Sequence, residues 1–207
     1  MTSITVQQLT VGPLATHCYI LHDPQRHEAL VIDPGAEAER ISATISGRVT
    51  AILLTHAHFD HIHGVNALAE ATGAPVWLHP ADAHMLGLTR VDHWITPGQQ
   101  WRLGDLWLTA QPTPGHTPGM VSFVGAEVAF VGDTIFAGGP GRTWCPPDFQ
   151  TTLHTLREVV LRWPDALICH PGHGPSFRLG AIRAQIEAFV HRAWPADFYG
   201  DAEWPRA

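Results

Sequence analysis

Short apolar or alternating runs, cut by Gly, Pro and polar turns, recur along the chain and predict many strands. "ITVQQLTV" (4–11), "HCYILH" (17–22) and "EALVIDPG" (28–35) read as three strands in succession. "AEAERISATIS" (36–46) reads as a helix stopped by Gly47, and "VTAILLT" (49–55) as a strand apolar on both faces and therefore buried on both. "GVNALAEATG" (64–73) carries helix formers up to Gly73, "APVWLHP" (74–80) is a further strand, and "WRLGDLWLTAQPT" (101–113) is a hairpin through Gly104. "MVSFVGAEVAFVGD" (120–133) predicts two strands turning at Gly125–Ala126. From Asp148 to Trp163 the apolar positions Phe149, Leu153, Leu156, Val159, Val160 and Trp163 form a helical stripe, with Asp148 as N-cap. "DALICHPGHG" (165–174) is a strand running into a Gly/Pro loop, and "LGAIRAQIEAFVHRAW" (179–194) a last helix. Strands outnumber helices and alternate with them in both halves, which predicts sheets packed together with helices outside.

Composition narrows the class. The chain has 207 residues, of which 45% are apolar, enough for one domain with a substantial core. No run of roughly 18 apolar residues is present, so no membrane span is expected. The start "MTSITVQQLTVG" lacks a basic head followed by an apolar block, and the three cysteines, Cys18, Cys145 and Cys169, form no disulfide framework; a cytoplasmic location is the expectation. Net charge is -7 with no cluster of basic residues, which disfavours nucleic acid or an anionic membrane as partner. All 12 basic residues are Arg, which removes any catalytic lysine from consideration. Fifteen histidines in a chain with only 15% charged residues point instead to metal.

The chemistry is concentrated in "ILLTHAHFDHIHG" (52–64), where His56, His58, Asp60 and His61 follow a buried strand. On an extended segment positions i, i+2 and i+4 face one side, so His56, His58 and Asp60 are expected to converge, with His61 re-aimed by the turn into the next helix. Imidazole and carboxylate suit zinc, iron or manganese. Four such groups exceed one tetrahedral ion that keeps an open position, and two metals are the natural resolution. Three later loops repeat the pattern at strand ends among small residues: "PTPGHTPGM" with His116, "FVGDTIF" with Asp133, and "CHPGHGP" with His173.

These motifs resemble the metallo-β-lactamase superfamily, whose H-x-H-x-D-H signature stands here as "HAHFDH", followed in order by His116, Asp133 and His173. The resemblance implies an α+β fold, an αββα sandwich of two mixed sheets flanked by helices. It implies two divalent ions, Zn2+ first with Fe or Mn as options, one held by His56, His58 and His116 and the other by Asp60, His61 and His173, with Asp133 bridging. Asp33 in "VIDPG" would orient a ligand, and Asp60 would also act in catalysis by orienting the nucleophile. Within the superfamily "GDTIFAGGPGRTW" looks most like the glyoxalase II and persulfide dioxygenase branch, with Arg142 and Trp144 as substrate-binding residues. Trp144 stands where the dioxygenases usually have Asp, which tilts the expectation to hydrolysis of a small-molecule thioester, such as a 2-hydroxyacyl conjugate of glutathione or a similar thiol. The alternatives are a mononuclear iron persulfide dioxygenase built on His56, His116 and Asp133, a lactonase or other ester hydrolase with the same metals, and a metal-binding domain without catalysis.

Two features stand apart from the motif. His17 and His63 occupy positions where the family usually has Asn and Gly. The end of the chain, "AWPADFYGDAEWPRA", divides the sequence into a catalytic domain over 1–193 and an aromatic-rich tail over 194–207. Trp194, Phe198, Tyr199 and Trp204 seldom all face water, so the tail is expected to cover its own domain near the pocket mouth or a second subunit of a homo-oligomer.

Overall fold

The computed structural model describes residues 4–87 and 89–205. Two six-stranded mixed sheets lie face to face. The first contains, in spatial and chain order, β1 (Thr5–Val11), β2 (Thr16–Asp23), β3 (Glu28–Ile32), β4 (Arg48–Leu53), β5 (Val76–Leu78) and β6 (His93–Trp94). The second runs from β12 (Phe177–Arg178) through β11 (Ile168–Pro171), β10 (Val128–Gly132), β9 (Val121–Val124) and β8 (Leu106–Pro112) to β7 (Gln100–Leu103). Helices α1 (Ala38–Thr44), α2 (Phe59–Ile62) and α3 (Val65–Thr72) belong to the first half, and α4 (Pro146–Glu158) and α5 (Arg183–His191) to the second.

Strand alternation explains the layers. Tyr19, Leu21, Leu30, Ile32, Ala51 and Leu53 point between the sheets and meet Leu108, Val121, Phe123 and Phe130. Their neighbours Ile20, Val31 and Ile52 point the other way, onto Ile41 of α1 and Leu68 of α3. The apolar residues of β4 thus serve two cores at once, each buried Leu or Ile contributing about 1.5–3 kcal/mol. On the far side, Val131 and Cys169 pack against Phe149 and Leu156 of α4 and Ile186 and Phe189 of α5. The layers are therefore helix, sheet, sheet, helix, as expected from the sequence.

Local boundaries differ from the sequence reading in several places. Asp148 is not the N-cap of α4: Cys145 occupies that position, with Pro146 and Pro147 opening the helix. A proline fits the first turn because its missing N–H has no helical partner there. Asp148 Oδ2 instead accepts the backbone N–H of Trp144 at 3.3 Å. The helix ends at Glu158, and a 3-10 turn (Val160–Arg162) carries the stripe on to Trp163. The last helix is shorter than 179–194, with a 3-10 turn at Leu179–Ala181 before α5. The two-residue strands β6 and β12 are too brief to leave a periodic signal.

The end of the chain packs onto the helical layer of the second sheet. Trp204 is buried in the same cluster as Phe149 and Phe189, with Trp194 and Phe198 against it. Tyr199 remains exposed. Among the described residues no helix is long and apolar enough to cross a membrane.

Candidate metal centre

Each sheet contributes one parallel pair whose carboxyl ends open at the same edge. In the first, Ile32 of β3 aligns with Leu53 of β4, so Asp33 and the segment 54–58 emerge side by side. In the second, Gly132 of β10 aligns with Pro171 of β11, so Asp133 and His173 emerge together. Backbone hydrogen bonds stitch the two edges: His17 N–H donates to Gly172 O at 2.8 Å and Val121 N–H to Thr55 O at 2.9 Å. Ligand types that are far apart in sequence thereby meet between the sheets.

Three imidazoles form the first group. His58 Nδ1 lies 3.1 Å from His56 Nε2 and 2.8 Å from His116 Nε2. Asp60, His61 and His173 form the second, with Asp60 Oδ2 at 3.6 Å from His61 Nε2 and 3.2 Å from His173 Nε2. Asp133 faces both groups. Its Oδ1 is 3.5 Å from His61 Nε2, and its Oδ2 is 3.5 Å from His116 Nε2 and 3.6 Å from His173 Nε2. All seven side chains singled out from the sequence therefore converge.

The expected route to convergence is corrected in one respect. β4 ends at Leu53, before the motif, and Asp60 and His61 both lie on α2 rather than on an extended continuation. His58 is the N-cap of that short helix, with extended dihedrals. One turn of helix swings Asp60 and His61 toward the second group while His56 and His58 stay with the first.

Hydrogen bonds from the outside fix which ring nitrogen faces inward. His61 Nδ1–H donates to Asp33 Oδ2 at 3.0 Å. Thr55 Oγ1–H donates to the same oxygen at 2.6 Å, so the contact of 3.0 Å between Thr55 Oγ1 and His56 Nδ1 is a donation from the imidazole. His116 Nδ1–H donates to Arg142 O at 2.7 Å, and His173 Nδ1–H to Leu14 O at 3.2 Å. In all four rings Nδ1 is the outward donor and Nε2 the nitrogen that faces into the site, which is the orientation a metal ligand requires. Asp33 also lies near His56 and His61 in a third possible grouping, but its oxygens are engaged by Thr55 N–H, Thr55 Oγ1–H and His61 Nδ1–H. Its geometry is that of a group holding Thr55 and His61 in place.

The electrostatics fit a cation. His61 Nε2 and Asp133 Oδ1 are buried without a hydrogen-bond partner among the described residues, a costly arrangement in the absence of a charge between them. Burial would lower the His61 pKa, yet Asp133, Asp33 and Asp60 together raise it to about 9. The local excess of negative charge thus draws a proton where no metal competes. Burial, reinforced by neighbouring imidazoles, pushes His58 down to about 4 and His56 well below the usual range. Burial of Asp60 is outweighed by the His173 contact and by His61, which hold its carboxyl low. Neutral His56 and His58 beside the ionised Asp60 carboxylate, with further imidazoles that a metal can compete for, are the donor chemistry of a divalent-metal site.

Several supporting residues carried no motif. Asp82 has no exposure and accepts from Ala57 N–H at 3.2 Å, Thr117 Oγ1–H at 2.8 Å and Gly119 N–H at 2.6 Å. It ties the loop of His56 and His58 to the loop of His116. Thr16 Oγ1–H donates to Asp60 Oδ2 at 2.7 Å. Gly172 is required for space, since a Cβ there would lie 2.1 Å from Asp133 Oδ1. Thr55, directly before the motif, and Gly172, among the small residues of "CHPGHGP", lay within reach of a pattern; Asp82, in "HPADAH", gave no sign.

The residues expected to meet substrate lie at the mouth. Trp144 is 55% exposed, with its ring centroid 5.9 Å from that of His58 and 6.4 Å from that of His116. The Arg142 guanidinium lies 5.2 Å from the Trp144 ring centroid and pairs with Asp201 at 2.8 Å. A cavity of about 600 Å3 opens from His116, Asp133 and His173 toward Phe136, Arg142 and the segment 201–204. The His63 ring lies tilted against the exposed Phe59, with centroids 4.6 Å apart. His17 is buried, with Nδ1 3.2 Å from Pro171 O.

Comparison with known proteins agrees with this architecture. Residues 11–173 match the family model of the metallo-beta-lactamase superfamily. A probable metallo-hydrolase, YqgX, of Bacillus subtilis is 34% identical over 191 residues, covering 82% of this chain and 90% of its own. The hydroxyacylglutathione hydrolase GloC of Haemophilus influenzae is 30% identical over 200 residues, covering 86% of this chain and 94% of its own. The crystal structure of TTHA1623 in a di-iron-bound form superposes with a TM-score of 0.71 at 34% identity, covering 86% of this chain and 96% of that one.

Proposed function

Within the metallo-β-lactamase superfamily, to which this chain belongs, we propose that it is a dinuclear metallohydrolase of thioesters, acting on 2-hydroxyacyl conjugates of glutathione or a similar small thiol. The observation that carries the dinuclear reading is Asp133, whose two oxygens face His61 on one side and His116 and His173 on the other. A mononuclear iron site needs only two histidines and one carboxylate, and would leave Asp60, His61 and His173 without a role. The similarity to a hydroxyacylglutathione hydrolase supports the thioester class, and zinc is the metal we propose, with iron or manganese compatible with the same donors.

His56, His58 and His116 would hold the first ion, Asp60, His61 and His173 the second, and Asp133 both. Bound divalent ions lower the pKa of water toward about 7 and polarise a carbonyl. The chain's own residues do the rest. Asp60, kept ionised and steadied by Thr16, orients the attacking water and accepts a hydrogen bond from it. Asp33 and Thr55 hold His61 and His56 in one tautomer, so no reorganisation is needed during the reaction. Trp144 walls the side of the acyl group, and Arg142 presents a planar guanidinium to a substrate carboxylate.

The test is metal analysis of protein purified without added metal, with S-D-lactoylglutathione hydrolysis and O2 uptake on glutathione persulfide measured on the same sample. Two ions per chain with hydrolysis supports the proposal, and His173→Ala should then abolish turnover. One iron per chain with O2 uptake that survives His173→Ala would replace it with the dioxygenase.

A further inference from the structure

The segment that follows Pro195 does more than cover apolar surface. Trp204 anchors it, with its backbone N–H donating to Gly138 O at 2.9 Å and its indole N–H to Phe136 O at 2.9 Å. Gly200 N–H donates to Thr143 Oγ1 at 3.1 Å, and Thr143 N–H to Gly200 O at 3.2 Å. Gly139 lies so close that a Cβ would meet Ala202 O at 2.1 Å. The segment is therefore fastened along the loop 136–143 on one side of the cavity, and between its anchors it sets Asp201 and Glu203 at the cavity wall.

Among the described residues, Arg142 is the one guanidinium lining this cavity. It is fixed from two directions, by the Trp144 ring and by Asp201 Oδ2. The Asp201 carboxylate thus engages one arm of the guanidinium, Nη1, at the cavity wall. Both partners are more than half exposed, so the pair is screened by solvent and weak enough for a competing anion to open.

We propose that Asp201 is a specificity-determining residue of this site: its carboxylate occupies the anion-binding position of Arg142, and a substrate carboxylate enters by displacing it. The internal counter-ion keeps the guanidinium ordered against Trp144 between turnovers. It also penalises small adventitious anions, because each must compete with a carboxylate already in place. A substrate bearing carboxylate is favoured only when the rest of it is held by the metal centre and the cavity. The proposal deepens the hydrolase reading and rests on it for the identity of the substrate, not for the anion position.

The experiment uses full-length, metal-loaded protein and two probes, S-methylglutathione and its dimethyl ester, with binding followed by calorimetry. Asp201→Asn keeps the shape and removes the charge. It should tighten S-methylglutathione by about two- to fivefold, the range of an exposed ion pair, while the ratio of ester to acid affinity moves by the same factor. In an Arg142→Gln background the Asp201→Asn change should no longer move that ratio. Glu203→Gln alters net charge equally without touching the pair and should shift the ratio less. Weaker acid binding in Asp201→Asn, an equal gain for the ester, an equal shift in Glu203→Gln, or no measurable binding of S-methylglutathione to either protein overturns the proposal. KM for S-D-lactoylglutathione, where turnover is present, should fall with the acid dissociation constant. An absence of turnover alongside the expected binding ratios would count against the hydrolase and leave the anion position standing.

Discussion

Replacing Asp82 by Asn tests whether the candidate metal centre depends on a residue whose hydrogen bonds go to the chain neighbours of its histidines. The carboxylate accepts three hydrogen bonds in a position without exposure. Oδ1 takes Gly119 N–H, and Oδ2 takes Ala57 N–H and Thr117 Oγ1–H. The amide retains one acceptor oxygen, so its NH2 must point at Gly119 N–H or at the other two donors. At least one charge-assisted bond is lost, worth about 1.5–3 kcal/mol, and a buried N–H is left facing another donor. The sum is about 3 kcal/mol, which for a chain of this size lowers the melting temperature by about 6–12 °C. Because Ala57 lies between His56 and His58, and Thr117 follows His116, the same change should loosen the first metal group. A drop of about 10–100-fold in metal affinity is expected. Thermal melts followed by circular dichroism in chelator, and competition with a chromophoric chelator, read the two effects separately. A variant that melts within about 2 °C of the parent and holds metal equally well would refute the argument.

Other outcomes follow from the same geometry. Asp33→Asn removes the acceptor that holds His61 Nδ1–H, and about 10–100-fold of metal affinity should go with it, measured by chelator competition; unchanged affinity would mean the tautomer is set elsewhere. Gly172→Ala would put a Cβ 2.6 Å from His61 Cε1 as well as against Asp133, so kcat/KM should fall by about 100-fold while the far-ultraviolet spectrum is kept, and normal kinetics would contradict the packing. Metal-free protein should be most stable near pH 6.5. Below that value the unfolded chain takes up protons that His56 and His58, with lowered pKa values, refuse in the fold, so stability is lost as pH falls toward about 4. Above it the His61 contribution, present in full below 6.5, is lost as pH rises through about 9. Melting temperatures across pH 4–9 in chelator check this, and a flat profile would show that these histidines do not titrate as their surroundings dictate.

The layers and the donor side chains are legible along the chain. Buried strands with both faces apolar, such as β4, leave a signal in hydropathy because each residue meets a core whatever its partner strand is. The seven ligand-type side chains were legible because imidazole and carboxylate at strand ends, beside small residues, have few structural uses. Boundaries set by backbone detail were less so. Cys145 caps α4 ahead of Asp148 because two prolines fix where the first turn starts, and the strands of two residues are too short for any period to show.

How the donors are divided and aimed depends on long-range packing. One turn of α2 separates Asp60 and His61 from His56 and His58, a distinction that the spacing H-x-H-x-D-H leaves open. The acceptors that select each tautomer, Asp33, Arg142 O and Leu14 O, come from three loops distant in sequence. Asp82 and Asp201 act across gaps of 37 and 59 residues, to Gly119 and Arg142. Such contacts have no local signature, because a hydrogen bond depends on where two groups end up in space, and folding two sheets against each other is what brings them there.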